Sequence, residues 1–233
     1  MTEIIEGLKY PVSDKKSILR FLLGCVLNYI PIAGNIIALG YAQKSMEKVM
    51  EGETETPLWV DITGFFILGT KVVGVLFVYG LGFLVPFSIG LLFVLIIKEG
   101  WAVIMGFIFF MLSAILALSC AFVVPMALIF MQKRGERFRA ALKFDDVLLK
   151  IRDVVAHYTI NVVIFWISCI VFLPVILLFI SIKFGFILAV IPIFYLLLFG
   201  SFIFGKMGNS VEVSPLDSGI LLDETDKRAK TSS

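Results

Sequence analysis

The chain has 233 residues and a formal net charge of +2; 60% of its residues are hydrophobic and only 16% charged. Soluble domains carry about 45–50% apolar and about 25% charged residues, and a mean hydropathy of +1.03 is more apolar surface than one small core can hide. These figures exclude a soluble globular protein and make lipid the solvent for most of the chain; the net charge says little because most of the charge lies in a few segments, and the one basic loop is too short to expect a nucleic-acid partner.

Residues 1–17 are polar, with Glu3, Glu6 and Asp14 among the lysines. That is a poor leader for a signal peptide, so no cleavage is expected. The first apolar segment, 18–39, is broken by "NYIPIAGNIIALGY", Asn28 to Tyr41. Pro31 disfavours helical geometry at Ile30 and has no N–H to donate. Gly34 and Asn35 tolerate left-handed backbone. Two readings are open. One is a single proline-kinked span, which membrane helices tolerate. The other is a hairpin that turns at Pro31, Gly34 and Asn35, with Asn28 and Asn35 offering polar groups to the turn.

Leu39, Ala42, Met46, Val49 and Met50 then repeat at helical spacing, with Lys44, Glu47, Lys48 and Glu51 between them. This pattern predicts an interfacial amphipathic helix. Thr56-Pro57 reads as an N-cap followed by proline in the first helical position. Four apolar runs follow: Val72–Ile97, Trp101–Met131, His157–Ile182 and Phe184–Gly205. Each exceeds the roughly 20 residues a helix needs to cross a bilayer core. The second is long enough to tilt or project. Lys98-Glu99-Gly100 and Lys183 with Gly185 are short turns, so the runs form two transmembrane hairpins. Ser113, Ala117 and Ala121 make a small-residue face that suits close packing against Gly74, Gly82, Pro86 and Gly90, or against a second copy in a homo-oligomer. Pro86 and Pro174 mark expected kinks. Asn161 and Ser168 are expected to hydrogen-bond between helices.

The connection 132–156 carries a second stripe, Ala141, Phe144, Leu148, Ile151 and Val155, with Asp146 and Lys150 spaced for a helical ion pair. It also holds Lys133, Arg134, Arg137, Arg139 and Lys143 directly after a span, a cluster suited to anionic lipid headgroups. Residues 206–233 read as a disordered polar tail whose Gly219-Ile220-Leu221-Leu222 is a solvated segment by default.

Basic residues accumulate on the cytoplasmic side of membranes. If segment 18–39 spans once, the 20 basic residues divide 14 against 6; if it turns back, they divide 18 against 2. The hairpin separates them better and places both termini in the cytoplasm of a cell-membrane protein. No metalloprotease, nucleophile-elbow, phosphate-loop or dinucleotide-binding motif occurs. Cys25, Cys120 and Cys169 lie in apolar runs and His157 is the one histidine, so no disulfide framework, metal site or cofactor is expected. The spanning cores hold no ionisable residue of the kind that marks transport paths.

The segments "EGLKYPVSDKK", "NYIPIAGNIIALGY", "EGETETPLWVD" and "GTKVV", followed by "RFRAALKF", come in an order that resembles a family of uncharacterised archaeal and bacterial integral membrane proteins, a domain of unknown function. The positions that carry the resemblance are Tyr10, Pro11, Asp14, Pro31, Gly40, Tyr41, Gly52, Pro57, Trp59, Asp61, Gly69, Lys71, Phe138, Ala140 and Ala141, over roughly residues 4–205. Leu58 departs from the acidic residue that the family places before the aromatic. The resemblance implies a polytopic protein with an N-terminal helical hairpin and supplies no reaction.

The expected architecture is therefore all-α: a transmembrane bundle over 1–205 with a broken or re-entrant N-terminal hairpin and interfacial helices. The expected role is a non-enzymatic scaffold in the bilayer with a protein partner at its cytoplasmic face. The alternative is a transporter or channel for a small or amphipathic solute.

Overall fold

The computed structural model describes residues 2–97, 99–182 and 185–211. The elements are α1 (Thr2–Lys9), a 3-10 turn (Tyr10–Val12), α2 (Lys15–Asn28), α3 (Ala33–Met50), α4 (Ile62–Leu92), a π turn (Phe93–Ile97), α5 (Gly100–Lys133), α6 (Phe138–Ala141), α7 (Phe144–Asp153), α8 (Val155–Ser181) and α9 (Phe186–Ser210). Among the described residues there is no strand. Four helices are long and apolar enough to cross a membrane: Ile62–Ile96, Gly100–Lys133, Val155–Ser181 and Leu188–Ser210. The protein is an all-α polytopic membrane bundle. The turns at Lys98 and at Lys183-Phe184, and residues 212–233 with Gly219–Leu222, lie outside the described residues.

Segment 18–39 does turn back. α2 ends at Asn28 and α3 starts at Ala33. Tyr10, just before α2, shares an apolar cluster with Val49 at the far end of α3, while Gly34 at the start of α3 sits against the end of α2. A Cβ on Gly34 would fall 1.9 Å from the Leu27 carbonyl oxygen. The left-handed backbone expected at Gly34 and Asn35 belongs instead to Ile32 (φ 65°, ψ −66°), the centre of a γ-turn in which the Ala33 N–H donates to the Pro31 carbonyl at 2.7 Å. Gly34 and Asn35 are already helical. Asn28 is buried with its Oδ1 unpartnered, and Asn35 is exposed, so neither amide covers the turn as expected. With 14 residues, α2 rises about 21 Å, short of a bilayer core of about 30 Å. The hairpin is re-entrant in length.

The largest departure from expectation is α3. Ile37, Ala38, Tyr41, Ala42, Met46 and Val49 are buried, as are Gln43 and Ser45. The helix is therefore no interfacial element but the centre of the bundle, packed on α4 along one side and α9 along another. Its polar Gln43 is covered because Nε2 donates to the Leu128 carbonyl at 3.0 Å and to Gln132 Oε1 at 3.2 Å on α5.

Thr56-Pro57 does not start a helix. α4 begins at Ile62, where Asp61 caps it by accepting from the Gly64 N–H at 2.8 Å. Lys71 lies inside α4 and pairs with Glu136 at 3.3 Å. α4 and α5 pack side by side, with single members of the two expected small-residue faces at the contact. Ser113 Oγ donates to the Phe83 carbonyl at 2.9 Å, Cys120 Sγ to the Tyr79 carbonyl at 3.1 Å, and Gly90 approaches Gly106 closely enough that a Cβ would lie 3.0 Å from its oxygen. Ala117 and Ala121 are half-buried. Ser168 Oγ donates to Ile164 of its own helix at 2.9 Å rather than across helices, while Asn161 is buried.

α9 runs to Ser210, beyond the expected Gly205. There its end meets the rest of the chain: Lys206 pairs with Glu6 at 3.9 Å, and Lys133 donates to the Val211 carbonyl. The N-terminal helix, the end of α3, the 134–153 connection and the end of α9 thus gather at one end of the bundle.

Candidate functional site

Two places at or near that end combine exposure with charge. The first is built by the loop 52–61, which folds back over α2. The rings of Tyr41 and Trp59 stack with centroids 3.9 Å apart and planes 4° from parallel. Phe65 meets both edge-on at 5.4 and 5.5 Å, an arrangement that ring quadrupoles favour. Each polar tip finds a carbonyl: Tyr41 Oη donates to Pro57 at 2.9 Å, and Trp59 Nε1 to Arg20 at 2.8 Å. The Arg20 guanidinium in turn donates to the Thr56 carbonyl and lies 3.7 Å from Glu55. From α9, Phe194 closes the cluster, 5.7 Å from Phe21 and 6.0 Å from Tyr41. Gly24 admits it, since a Cβ there would lie 2.3 Å from its ring. On the outer side, Lys16, Leu19, Arg20, Leu23 and Val26 of α2 and Trp59 of the loop line an open cleft of about 610 Å³.

The second place is the 133–153 connection, where the five expected headgroup-binding residues divide. Lys133 is engaged with Val211. Arg134 pairs with Asp146 at 3.5 Å and lies 5.4 Å over the Phe130 ring. Arg137, Arg139 and Lys143 are exposed, with Lys143 also 3.7 Å from Asp146. Asp146 therefore serves Arg134 and Lys143 and not Lys150, which pairs with Asp153 at 3.6 Å. The expected stripe is shifted too. Val147 and Ile151 are the buried residues of α7 and Ala141 is buried on α6, whereas Phe144, Leu148, Leu149 and Val155 are exposed. Tyr79 of α4 meets both short helices: its ring centre lies 4.8 Å from that of Phe144 on α7, and its hydroxyl donates to the Ala141 carbonyl of α6 at 2.8 Å.

At both places the positions that carry the family resemblance do structural work. Asp14 caps α2 by accepting from the Ser17 N–H at 2.6 Å, and hydrogen bonds from Ser17 hold its carboxyl below the usual range. Gly52 takes a φ of 88°. Phe138 covers Gly74, where a Cβ would lie 2.9 Å from its ring. The cleft itself was not legible in the sequence. Its one signal was a run of large apolar residues, Leu58, Trp59 and Val60, in what proves to be a loop. Among the described residues, no three His, Cys, Asp or Glu side chains gather as metal ligands would.

The family described as "Protein of unknown function (DUF4013)" matches residues 23–182. No curated protein and no solved structure gives a significant match.

Proposed function

We propose that this chain, which belongs to the DUF4013 family, is a non-enzymatic scaffold of the cell membrane, with both termini in the cytoplasm and a protein partner held at that face. The observation that carries the reading is the two-sided apolar character of α7. Val147 and Ile151 anchor it to the bundle, while Leu148 and Leu149 remain 51% and 60% exposed at the end where the long connections meet. Exposed large apolar side chains in a ten-residue helix that also exposes Asp145, Arg152 and Asp153 suit a partner interface. Arg137, Arg139 and Lys143 beside it supply charge for anionic headgroups and for an acidic partner rim.

The experiment is photo-crosslinking in intact cells from a benzophenone side chain at Leu148, with Leu118 on the open face of α5 as the lipid-facing control. A discrete protein adduct from Leu148, a second copy of this chain included, with lipid adducts alone from Leu118, supports the scaffold. Lipid adducts alone from both positions would make α7 a membrane anchor and remove the partner reading.

A further inference from the structure

We infer that the cleft between α2 and Trp59 is a binding site for one anionic phospholipid, its headgroup on Lys16 and Arg20 and one acyl chain along Leu19, Leu23 and Val26. This site is separate from the α7 surface and does not depend on the role proposed for it. The argument begins with α2, half of a hairpin too short to cross the bilayer. Its outward residues Leu19, Leu23 and Val26 are exposed, and the solvent for such a face in a membrane hairpin is lipid. The cleft of about 610 Å³ is polar at one end alone. Lys16 and Arg20 stand one helical turn apart at the end nearer the termini, and Val26 lies about 15 Å beyond Lys16 and about 9 Å beyond Arg20 along the axis. An amphiphile has the same axial order of charge and hydrocarbon.

The sign of the headgroup follows from the neighbours. Arg20 is partly offset by Glu55 at 3.7 Å, an exposed side chain, and it binds the Thr56 carbonyl. These contacts fix the guanidinium in place. Among the described residues Lys16 has no ion-pair partner, and the nearby Asp14 carboxylate is engaged in capping Ser17. The residues that line the cleft therefore carry two cations and no carboxylate, with Glu55 and Asp14 outside the lining. Trp59 completes the wall with its ring held flat on Tyr41, so the surface offered to the chain is rigid, and an indole at headgroup depth is a common membrane anchor.

The test uses the full chain with Trp101→Phe and Trp166→Phe, which leaves Trp59 as the one indole. It is reconstituted in phosphatidylcholine vesicles containing a small mole fraction of brominated phosphatidylglycerol or, separately, brominated phosphatidylcholine, and Trp59 quenching is read. The anionic lipid is expected to quench more strongly at equal mole fraction. Lys16→Gln, at an exposed position, is expected to lower that preference about fivefold and to leave quenching by phosphatidylcholine unchanged. Equal quenching by the two lipids overturns the site. So does a preference that survives Lys16→Gln and disappears instead when Arg137, Arg139 and Lys143 are changed to Gln, since the anionic lipid would then be drawn by the basic connection.

Discussion

Gly40 and Gly69 meet backbone to backbone where α3 crosses α4. A Cβ on Gly40 would lie 1.8 Å from the Phe65 carbonyl oxygen, and one on Gly69 would lie 1.8 Å from that of Ile36. Without side chains at the crossing, the two helices close to a distance at which Tyr41 reaches Phe65 and Trp59. Small residues serve helix packing in membranes in this way, because lipid gives apolar side chains no reason to prefer each other and close van der Waals contact must supply the attraction.

Replacing either glycine by alanine forces the helices apart. Gly40→Ala and Gly69→Ala are each expected to cost about 1–3 kcal/mol or more, as overpacked cores do. Gly100→Ala is the control, since a Cβ there meets nothing within 4 Å. Thermal unfolding in detergent micelles checks the prediction; equal melting of all three variants and the parent would show that the crossing is not tight.

Trp59→Phe keeps a ring on Tyr41 and removes the donor to the Arg20 carbonyl. The expected loss is about 1 kcal/mol for that hydrogen bond, with Trp59→Ala worse because the stack goes as well. Loop 52–61 then opens more often. Cleavage by a glutamate-specific protease at Glu53 and Glu55, both exposed, should rise in the order parent, Phe variant, Ala variant. An unchanged cleavage rate would mean that Trp59 does not hold the loop.

Glu136 is a left-handed non-glycine residue (φ 59°) that lies 3.3 Å from Lys71 and 3.9 Å from Lys44, so one carboxylate ties the 134–137 connection to α4 and α3. All three side chains are about one-third exposed, which limits the value of the network to about 0.2–1 kcal/mol per pair. Glu136→Gln is expected to lower the melting temperature slightly and to remove part of its dependence on ionic strength. A variant that retains the parent's full salt dependence would place that dependence elsewhere.

The hairpin at Pro31 sets which connections share a side. In a chain with Cys25, Cys120 and Cys169 changed to alanine, Ser181→Cys is expected to react with a membrane-impermeant thiol reagent on intact cells. Ser13→Cys is expected to react only after permeabilisation. Both serines are exposed. Labelling of Ser13→Cys on intact cells with Ser181→Cys protected would reverse the proposed orientation, and labelling of both would mean that segment 18–39 crosses the bilayer.

The number and apolar character of the four spans were legible in the residues alone, although the helix of the first begins at Ile62 rather than Val72. In lipid a backbone can satisfy its polar groups only within its own helix, so twenty or more apolar residues in a row suffice to announce one, and no neighbour is needed. The break in the first segment was local too, because Pro31 lacks an N–H, but the choice of a return over a kinked span needed the distribution of basic residues along the whole chain. Only the tertiary structure decided what those helices do to one another. The stripe on α3 has the periodicity of a surface helix, yet Gly40, Gly69 and Gly205 let α4 and α9 cover it from two sides. Thr56-Pro57 has the chemistry of a helix start, yet Thr56 and Pro57 are held by Arg20 and Tyr41 from distant helices. Asp146 and Lys150 have helical ion-pair spacing, yet Arg134 takes the carboxylate from outside α7. In each case the local preference is worth a few tenths of a kilocalorie to about 1 kcal/mol, and a close contact between segments far apart in the chain outweighs it.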